Sequence, residues 1–320
     1  MNLLNDLTGA IWQAHTRLGP HLRETPLDYS QAFSRMTGAQ VWLKLENLQP
    51  TGSFKVRGAL NKLLSLSPEA LQKGVVAASS GNHGAGIAYG LQKLGAKGVV
   101  FVPEGASATK LEAIRRYGAE VRVFGKSGDD TELYARQYAD AHGLTYISPY
   151  NDPEVIAGQG TIGLEIAHQM SQPPDAVFVT VGGGGMISGI ASYLKSVSPH
   201  TTIVGCQPEN DAAMWASIQA GRIVSIEARP TLSDGSAGGL EPDAITFALC
   251  QNLVDDWITV SEEEIASAMR FFIETQHQLL EGAAGVALAA LLKAGIRGRR
   301  AIAVVCGANI GLETLRKILQ

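Results

Sequence analysis

The sequence predicts an α/β protein with open parallel sheets. Short apolar runs alternate with longer segments of helical period along most of the 320 residues. Strands that are repeatedly followed by helices form right-handed crossover units, and such units give parallel sheets covered on both faces. The alternation is interrupted at Pro149–Gly160, a stretch rich in Pro, Gly, Asn and Asp, so we predict two such sheets.

The strands are predicted from short apolar runs, each bounded by polar or glycine-containing segments. In chain order they are Val41–Leu45, Gly74–Ala78, Gly98–Val102, Val121–Phe124, Asp175–Thr180, Thr202–Cys206, Trp257–Val260 and Arg300–Cys306.

The helices are predicted from the apolar period between these runs. In chain order they are Val56–Leu66, His83–Leu94, Ala108–Tyr117, Asp129–His142, Ile162–Gln169, Met186–Val197, Ala212–Ala220, Glu262–Gln278, Ala283–Lys293 and Leu312–Leu319. Ser261 precedes three glutamates and predicts a capping box. Gly95, Gly118 and Gly143 each follow a helix and precede a strand, as left-handed C-caps do.

The interruption also predicts the domain organisation. The spacing from Gly74 to Ile147 accommodates about four strand–helix units, enough for a small sheet of its own. We therefore predict a small substrate-binding domain at residues 69–148. It is inserted into a larger cofactor-binding domain formed by residues 1–68 and 149–320.

Composition excludes several classes of protein. The net charge of −4 gives no electrostatic reason to expect nucleic-acid binding. No apolar stretch is long enough to span a membrane, and Met1–Asp6 lacks the basic start and apolar core of a signal peptide. Cys206, Cys250 and Cys306 are odd in number and widely spaced, which argues against a disulfide framework or a Cys-x-x-Cys metal site. We expect a cytoplasmic protein that contacts neither nucleic acid nor membrane.

Lys55 is a candidate nucleophile. It follows the turn Thr51–Phe54 and precedes a predicted helix, so its amine is held among small residues. A lysine amine held in this way can attack a carbonyl carbon. The alternative is an ordinary solvated surface lysine.

Three polar or glycine-rich segments follow predicted strands, at the sheet edge where ligands of open α/β proteins bind. Ser79–Gly84 has amides that could hold a carboxylate, or it is a plain N-cap loop. Gly182–Gly185 could wrap a phosphate, or it is a linker. Cys306–Gly311 brings a thiol to a strand end, or that cysteine is a buried structural residue.

Together these segments resemble the fold-type II pyridoxal-phosphate enzymes, in particular the serine/threonine dehydratase and serine racemase family. The resemblance covers nearly the whole chain and rests on four motifs in family order. They are Ser-Phe-Lys-Val-Arg-Gly-Ala at 53–59, Ser-Ser-Gly-Asn-His-Gly at 79–84, Gly-Gly-Gly-Gly-Met at 182–186 and Cys-Gly-Ala-Asn at 306–309. The resemblance implies two tryptophan synthase β-like sheet domains and pyridoxal 5'-phosphate as cofactor.

The resemblance also implies roles for individual residues. Lys55 is expected to form the Schiff base with the cofactor and to take the Cα proton, with Ser80 acting on the opposite face as in racemases. The residues expected to hold the cofactor are Phe54, Lys55, Asn82, Gly182, Gly183, Gly184, Gly185, Met186 and Cys306. Those expected to hold the substrate carboxylate are Ser79, Ser80, Gly81, Asn82 and His83.

Two departures from the family pattern refine the expectation. Cys306 stands where many relatives have a serine facing the pyridine nitrogen, and a thiol is a weak donor. The nitrogen should then stay largely unprotonated, which favours elimination over racemisation. Gln207 and Ala213 replace the two acidic residues of the racemase-branch metal site, so no metal is expected, although Glu209 and Asp211 lie nearby.

The resulting prediction is a homodimeric ammonia-lyase. It converts a β-hydroxy L-amino acid to a 2-oxo acid and ammonia. Ser233–Gly239 and Cys306 suggest a catabolic branch, similar to hydroxyectoine-utilisation or hydroxyaspartate dehydratases. Two alternatives stay open: a serine or other amino-acid racemase, and a non-catalytic protein that binds the cofactor.

Overall fold

The computed structural model describes residues 3–320, with side chains from residue 7 onward except at 109. It contains two sheets. The larger has the order β1-β2-β10-β7-β8-β9, with β1 antiparallel to β2 and every other neighbouring pair parallel. Its strands are β1 (Leu27–Tyr29), β2 (Gln40–Leu45), β7 (Ala176–Thr180), β8 (Thr202–Pro208), β9 (Asp256–Val260) and β10 (Arg300–Val305).

The smaller sheet has the order β5-β4-β3-β6 and is parallel throughout. Its strands are β3 (Val75–Ala78), β4 (Gly98–Val102), β5 (Glu120–Val123) and β6 (Thr145–Tyr146). All four lie inside the segment 69–148, although the domain boundaries themselves stay a prediction. The α/β class with two parallel-sheet units is confirmed.

Helices connect the strands and cover the sheets. They are α1 (Leu3–Leu18), α2 (Gln31–Thr37), α3 (Lys55–Ser65), α4 (Pro68–Lys73), α5 (Asn82–Leu94), α6 (Ala108–Arg115), α7 (Gly128–His142), α8 (Pro153–Gln169), α9 (Gly185–Val197), α10 (Ala213–Ala220), α11 (Ile245–Leu253), α12 (Glu262–Gln276), α13 (Gly282–Lys293) and α14 (Leu312–Leu319). The capping box at Ser261 is present, and Gly95 and Gly143 adopt the left-handed C-cap conformation. Gly118 has a positive φ of 77° but lies beyond the end of α6, so it is not that helix's cap.

Each predicted strand is found with its ends shifted by no more than two residues. The two strands absent from the prediction, β1 and β6, have three and two residues, too few to show a period. Helices α1, α2, α4 and α11 were also not predicted. In α1 the period is nevertheless present, because Leu7, Ile11, Ala14 and Leu18 are all buried on one face.

The predicted interruption at Pro149–Gly160 is wrong from Pro153 onward, where α8 begins. Asp152 caps the helix by accepting hydrogen bonds from the amides of Glu154 (2.8 Å) and Val155 (3.2 Å). Proline is compatible with the first turn of a helix because its missing N–H has no partner there anyway. The glycines that suggested a loop lie inside α8 at contacts with neighbouring helices.

A buried group of four charges, the scaffold cluster, ties α3 to its surroundings. Arg57 Nε lies 2.7 Å from Glu46 Oε2, and Arg57 Nη1 lies 2.6 Å from Glu165 Oε1. Lys44 Nζ lies 2.5 Å from Glu165 Oε2, and all four residues are at most 3% exposed. Because the carboxylates and cations are equal in number and in direct contact, the cluster fixes α3 against α8 without leaving a charge unpaired.

Candidate functional site

The turn that carries Lys55 is hydrogen-bonded to the end of β10. The Phe54 amide donates to the Cys306 carbonyl at 3.0 Å, and the Ala308 amide donates to the Gly52 carbonyl at 2.8 Å. Gly52 has a φ of +73°, and a Cβ there would lie 2.6 Å from the Asn309 side chain. Only glycine fits this turn, which brings the start of α3 to the carboxyl end of the central strand.

The Lys55 amine points into the site. It donates to the Pro149 carbonyl at 2.9 Å. Burial lowers its pKa from the usual value of 10.5 to about 8, with the nearby Cys306 and Glu281 opposing the shift. A lysine with this pKa has a substantial neutral fraction near physiological pH, and the neutral amine is the form that attacks a carbonyl or accepts a proton.

The glycine loop, Gly182–Gly185, follows β7 and leads into α9. Gly184 has a φ of +85° and closes the loop as the N-cap of α9. A Cβ at Gly182 would lie 2.8 Å from the Ser236 carbonyl oxygen, and one at Gly183 would collide with the Tyr150 ring. The loop therefore leaves its backbone amides at a helix N-terminus, uncovered by any side chain of its own.

Asn82, the first residue of α5, is held by two neighbours. Its Nδ2 donates to the two carboxylate oxygens of Glu281 at 2.8 and 3.0 Å. Its Oδ1 accepts from Asn309 Nδ2 at 2.7 Å. These contacts fix the orientation of the Asn82 amide.

Glu281 is the main site residue that the sequence analysis missed. It is 4% exposed and lines the site beside Lys55 and Cys306. Burial raises the pKa of its carboxyl to about 7, although the hydrogen bonds from Asn82 oppose the shift. The available signal was a single acidic residue within the apolar stretch 279–284.

Cys306 directly follows β10 and is 2% exposed. Burial, reinforced by Glu281, raises the pKa of its thiol well above the usual value. The side chain is thus a neutral thiol that lines the same cavity as Phe54 and Met186.

The predicted carboxylate-binding segment begins directly after β3. Ser79 Oγ accepts from the Gly81 amide at 3.1 Å, which shapes the loop before α5. His83 directs Nε2 to the Ile147 carbonyl at 3.0 Å, and its Nδ1 is buried without a hydrogen-bond partner among the described residues. Burial, with help from the Lys55 charge, lowers the His83 pKa to about 3, so the ring is neutral.

These residues meet in one cleft between the two sheet units. The cleft encloses about 510 Å³ and opens into a smaller cavity of about 50 Å³ with which it shares Lys55 and Asn82. Every residue predicted for the site lines one or both cavities. Lys110 and Asp234 pair across the cleft at 2.6 Å, and Arg136 and Glu241 pair at 2.7 Å.

The region compared above with a racemase metal site is occupied by internal hydrogen bonds. Gln207 Nε2 donates to the Val181 carbonyl at 3.0 Å, and Asp211 accepts from the Gly238 amide at 2.8 Å. Within the described residues, no three or more His, Cys, Asp and Glu side chains are grouped in a way that could hold a metal. Over the same part of the chain, no helix has the length and apolar character needed to cross a membrane.

Comparisons with known proteins agree with this geometry. A family profile described as "pyridoxal-phosphate dependent enzyme" matches residues 18–307. The L-threonine ammonia-lyase of Thermotoga maritima is 42% identical over 313 residues, which cover 97% of this chain and 77% of that protein. The solved structure of threonine deaminase isoform 2 from Solanum lycopersicum has a TM-score of 0.92 at 34% identity. The match covers 98% of this chain and 92% of that chain. The solved structure of maize serine racemase has a TM-score of 0.91 at 31% identity, and the match covers 97% of this chain and 96% of that chain.

Proposed function

The chain belongs to the pyridoxal-phosphate dependent enzyme family, and from that premise we propose that it is an ammonia-lyase acting on a β-hydroxy L-amino acid. The products are a 2-oxo acid and ammonia. The water lost from Cα and Cβ is taken up again when the nitrogen is released, so the atoms balance. The observation that carries the proposal is the half-buried Lys55 amine, which lines the same cavity as the glycine loop.

The site fits pyridoxal phosphate at both ends of the molecule. Gly182–Gly185 offers backbone amides and the positive end of the α9 dipole to a phosphate, where a side chain would collide with Tyr150 or Ser236. Lys55 offers an amine to an aldehyde.

Two further groups fit the ring. Asn82 is oriented by Glu281 and Asn309 and lines the smaller cavity, where its amide would hold the ring's phenolic oxygen. The neutral Cys306 thiol suits an unprotonated ring nitrogen. Phe54 and Met186 supply apolar surface in the same cavity.

When bound, the cofactor supplies an aldehyde for covalent attachment and a ring that withdraws electrons from the substrate Cα. The protein supplies the proton transfer. Lys55, with a pKa of about 8, is the base that removes the Cα proton, because a base with a pKa near the working pH is the most effective.

The amides at the start of α5, in Ser79–His83, bind the substrate carboxylate. The Ser79 and Gly81 amides donate to the Phe101 carbonyl and to Ser79 Oγ, so the amides of Ser80, Asn82 and His83 are the ones left for the carboxylate, and the dipole of α5 favours an anion there. Binding at that point directs the substrate Cα toward Lys55, which lines the same cleft.

Racemisation is the second candidate. It needs a proton donor on the face opposite Lys55, and Ser80 lines the cleft where such a donor would act. We favour elimination because Cys306 is a poor proton donor to the ring nitrogen, so negative charge at Cα is less stabilised. A protein without catalytic activity is disfavoured, because Lys55 and Asn82 are both present in the cavity.

The test is a measurement of 2-oxo acid released from L-serine, L-threonine, threo-3-hydroxyaspartate and phenylserine, with chiral analysis of the remaining amino acid. We expect release from at least one substrate, faster than its racemisation. Racemisation of L-serine that outpaces pyruvate formation would contradict the preference for elimination. No oxo acid from any substrate would overturn the ammonia-lyase assignment.

We further propose that the enzyme is a cytoplasmic homodimer. Tyr29, Leu279 and Leu312 are about 50% to 82% exposed, and covering such side chains with a second copy would be favourable; all three cysteines are free thiols, as is usual in the cytoplasm. Sedimentation equilibrium at micromolar concentration should give twice the 33.8 kDa chain mass. A monomer throughout that range would contradict the dimer.

A further inference from the structure

Helix α8 lies between α3 and α9, and glycines form both contacts. On the α3 side, a Cβ at Gly158 would lie 2.7 Å from the Gly58 Cα and 2.8 Å from the Arg57 carbonyl oxygen. A Cβ at Gly58 would lie 2.7 Å from the Val155 carbonyl oxygen. All of these neighbours are backbone atoms, so the two helices are as close as they can be.

The α9 side repeats this arrangement. A Cβ at Gly160 would lie 3.0 Å from the Gly189 carbonyl oxygen, and one at Gly163 would lie 2.9 Å from the Ile190 carbonyl oxygen. In the reverse direction, a Cβ at Gly189 would lie 2.5 Å from the Gly160 amide nitrogen. We call Gly58, Gly158, Gly160, Gly163 and Gly189 the glycine seam.

The two outer helices carry the two ends of the proposed cofactor site. Helix α3 begins at Lys55, and α9 begins at Gly185, the last residue of the glycine loop. Both helix N-termini face the smaller cavity. The distance between α3 and α9 across α8 at the seam therefore determines how far Lys55 lies from the glycine loop.

We propose that the glycine seam positions Lys55 and the glycine loop at the separation required by one molecule that carries both an aldehyde and a phosphate. The inference rests on the proposed function, because it assigns those two ends to those two groups. Adding a methyl group at the seam forces backbone against backbone, and a close-packed interior transmits the displacement. A shift of about 1 Å is enough to spoil a two-point fit.

A purely structural role and a positioning role differ in what they do to fragments of the cofactor. Pyridoxal has the aldehyde and no phosphate, so it tests Lys55 alone. Inorganic phosphate tests the glycine loop alone. Only pyridoxal phosphate needs both groups at the correct separation, and its affinity therefore contains the gain from linking them.

The experiment measures the dissociation constants of these three ligands for the apo forms of Gly158→Ala and Gly163→Ala. Pyridoxal and pyridoxal phosphate are followed by absorbance, and phosphate by phosphorus NMR. We expect the fragment constants to stay within about 3-fold of wild type and that of pyridoxal phosphate to rise by at least about 10-fold.

Gly285→Ala is the matched control. Gly285 is buried in α13, and its new Cβ would meet the flexible Met269 side chain at 2.6 Å, on the side facing α12. This variant should lower the melting temperature of the apo protein. It should not change the ratio of the pyridoxal phosphate dissociation constant to the dissociation constants of pyridoxal and phosphate.

A milder variant covers a failure of either alanine to fold. At Gly160 the two closest contacts are Ile11 side-chain atoms at 2.5 and 2.6 Å, so Ile11→Ala with Gly160→Ala removes them, and the next contact is the Gly189 oxygen at 3.0 Å. Ile11→Ala alone is its reference. Three constants that change in proportion, or a pyridoxal phosphate constant that does not change, would overturn the positioning role. A wild-type protein that binds no pyridoxal phosphate would instead overturn the proposed function and the inference with it.

Discussion

Lys55 and Arg57 lie two residues apart on α3, and their surroundings change their pKa values in opposite directions. In the scaffold cluster, burial works against the Arg57 charge, but Glu46 and Glu165 outweigh burial and raise its pKa. In the site, burial prevails over the neighbours of Lys55 and lowers its pKa to about 8. Arg57 therefore keeps its charge although it is the more buried of the two, and the charge of the half-buried Lys55 is weakened. The difference is direct contact with carboxylates, which Arg57 has and which Lys55 lacks within the part of the chain that the structure describes.

Removing the lysine breaks this comparison most severely. Lys55→Ala should reduce turnover by more than about 10⁴-fold, because the nucleophile and the base are lost together. Steady-state assay of oxo-acid release gives the loss, and absorbance titration gives cofactor binding. Lys62→Ala, on the same helix and paired with Asp152 near the surface, is the control and should retain turnover. Equal losses in both variants would contradict the role of Lys55.

Removing the charge from the scaffold cluster should act on stability. Arg57→Met leaves Glu46 and Glu165 buried without their main partner, and breaking such a pair lowers the free energy of unfolding by about 3–5 kcal/mol. Urea denaturation of the apo protein measures it.

The matched surface variant is Arg122→Met. Its pair with Glu120 is more than 40% exposed on both sides, so the loss should be within about 1 kcal/mol. Equal destabilisation by the two variants would mean that burial of the cluster is irrelevant.

Glu281→Gln should change how stability depends on pH. The folded pKa of about 7 exceeds the usual 4.5, so the folded state binds more protons between these values and wild-type stability falls as pH rises through that window. The variant cannot titrate there. The difference in unfolding free energy between wild type and Glu281→Gln should therefore change by on the order of 2–3 kcal/mol between pH 4 and pH 8. The change favours the variant at the higher pH. Parallel stability curves would show that the carboxyl is not perturbed.

Cys306→Ser should give the smallest effect. A hydroxyl is a better donor than a thiol, and a hydrogen bond worth about 1 kcal/mol corresponds to a several-fold change in partitioning. We expect the ratio of racemisation to oxo-acid formation to rise by that factor, measured by chiral chromatography. A ratio that falls would refute the explanation of why elimination dominates.

The sequence made the backbone-determined parts of the site predictable. Asn82 and Gly182–Gly185 follow strand ends, where glycine and small polar residues have few other uses, and Lys55 follows the turn Thr51–Phe54 before a helix. The scaffold cluster was not predictable, because Arg57 and Glu165 are 108 positions apart and no local pattern relates them. Glu281 has no motif of its own for the same reason.

The misread start of α8 has a different cause. Glycine and proline usually interrupt helices, and Pro149–Gly160 contains both. Here proline occupies a first-turn position, and the interior glycines are required by helices that touch backbone to backbone. Single-residue preference cannot anticipate a demand made by a neighbouring helix.

The ties between the Lys55 turn and β10 also constrain the order of folding. Gly52 and Phe54 take their backbone partners from Ala308 and Cys306, some 250 positions later, and β10 itself enters between β2 and β7. During synthesis the turn therefore cannot close until residues 306–308 have left the ribosome. Such long-range closure is slow, and it delays the appearance of a reactive amine until the walls around it exist.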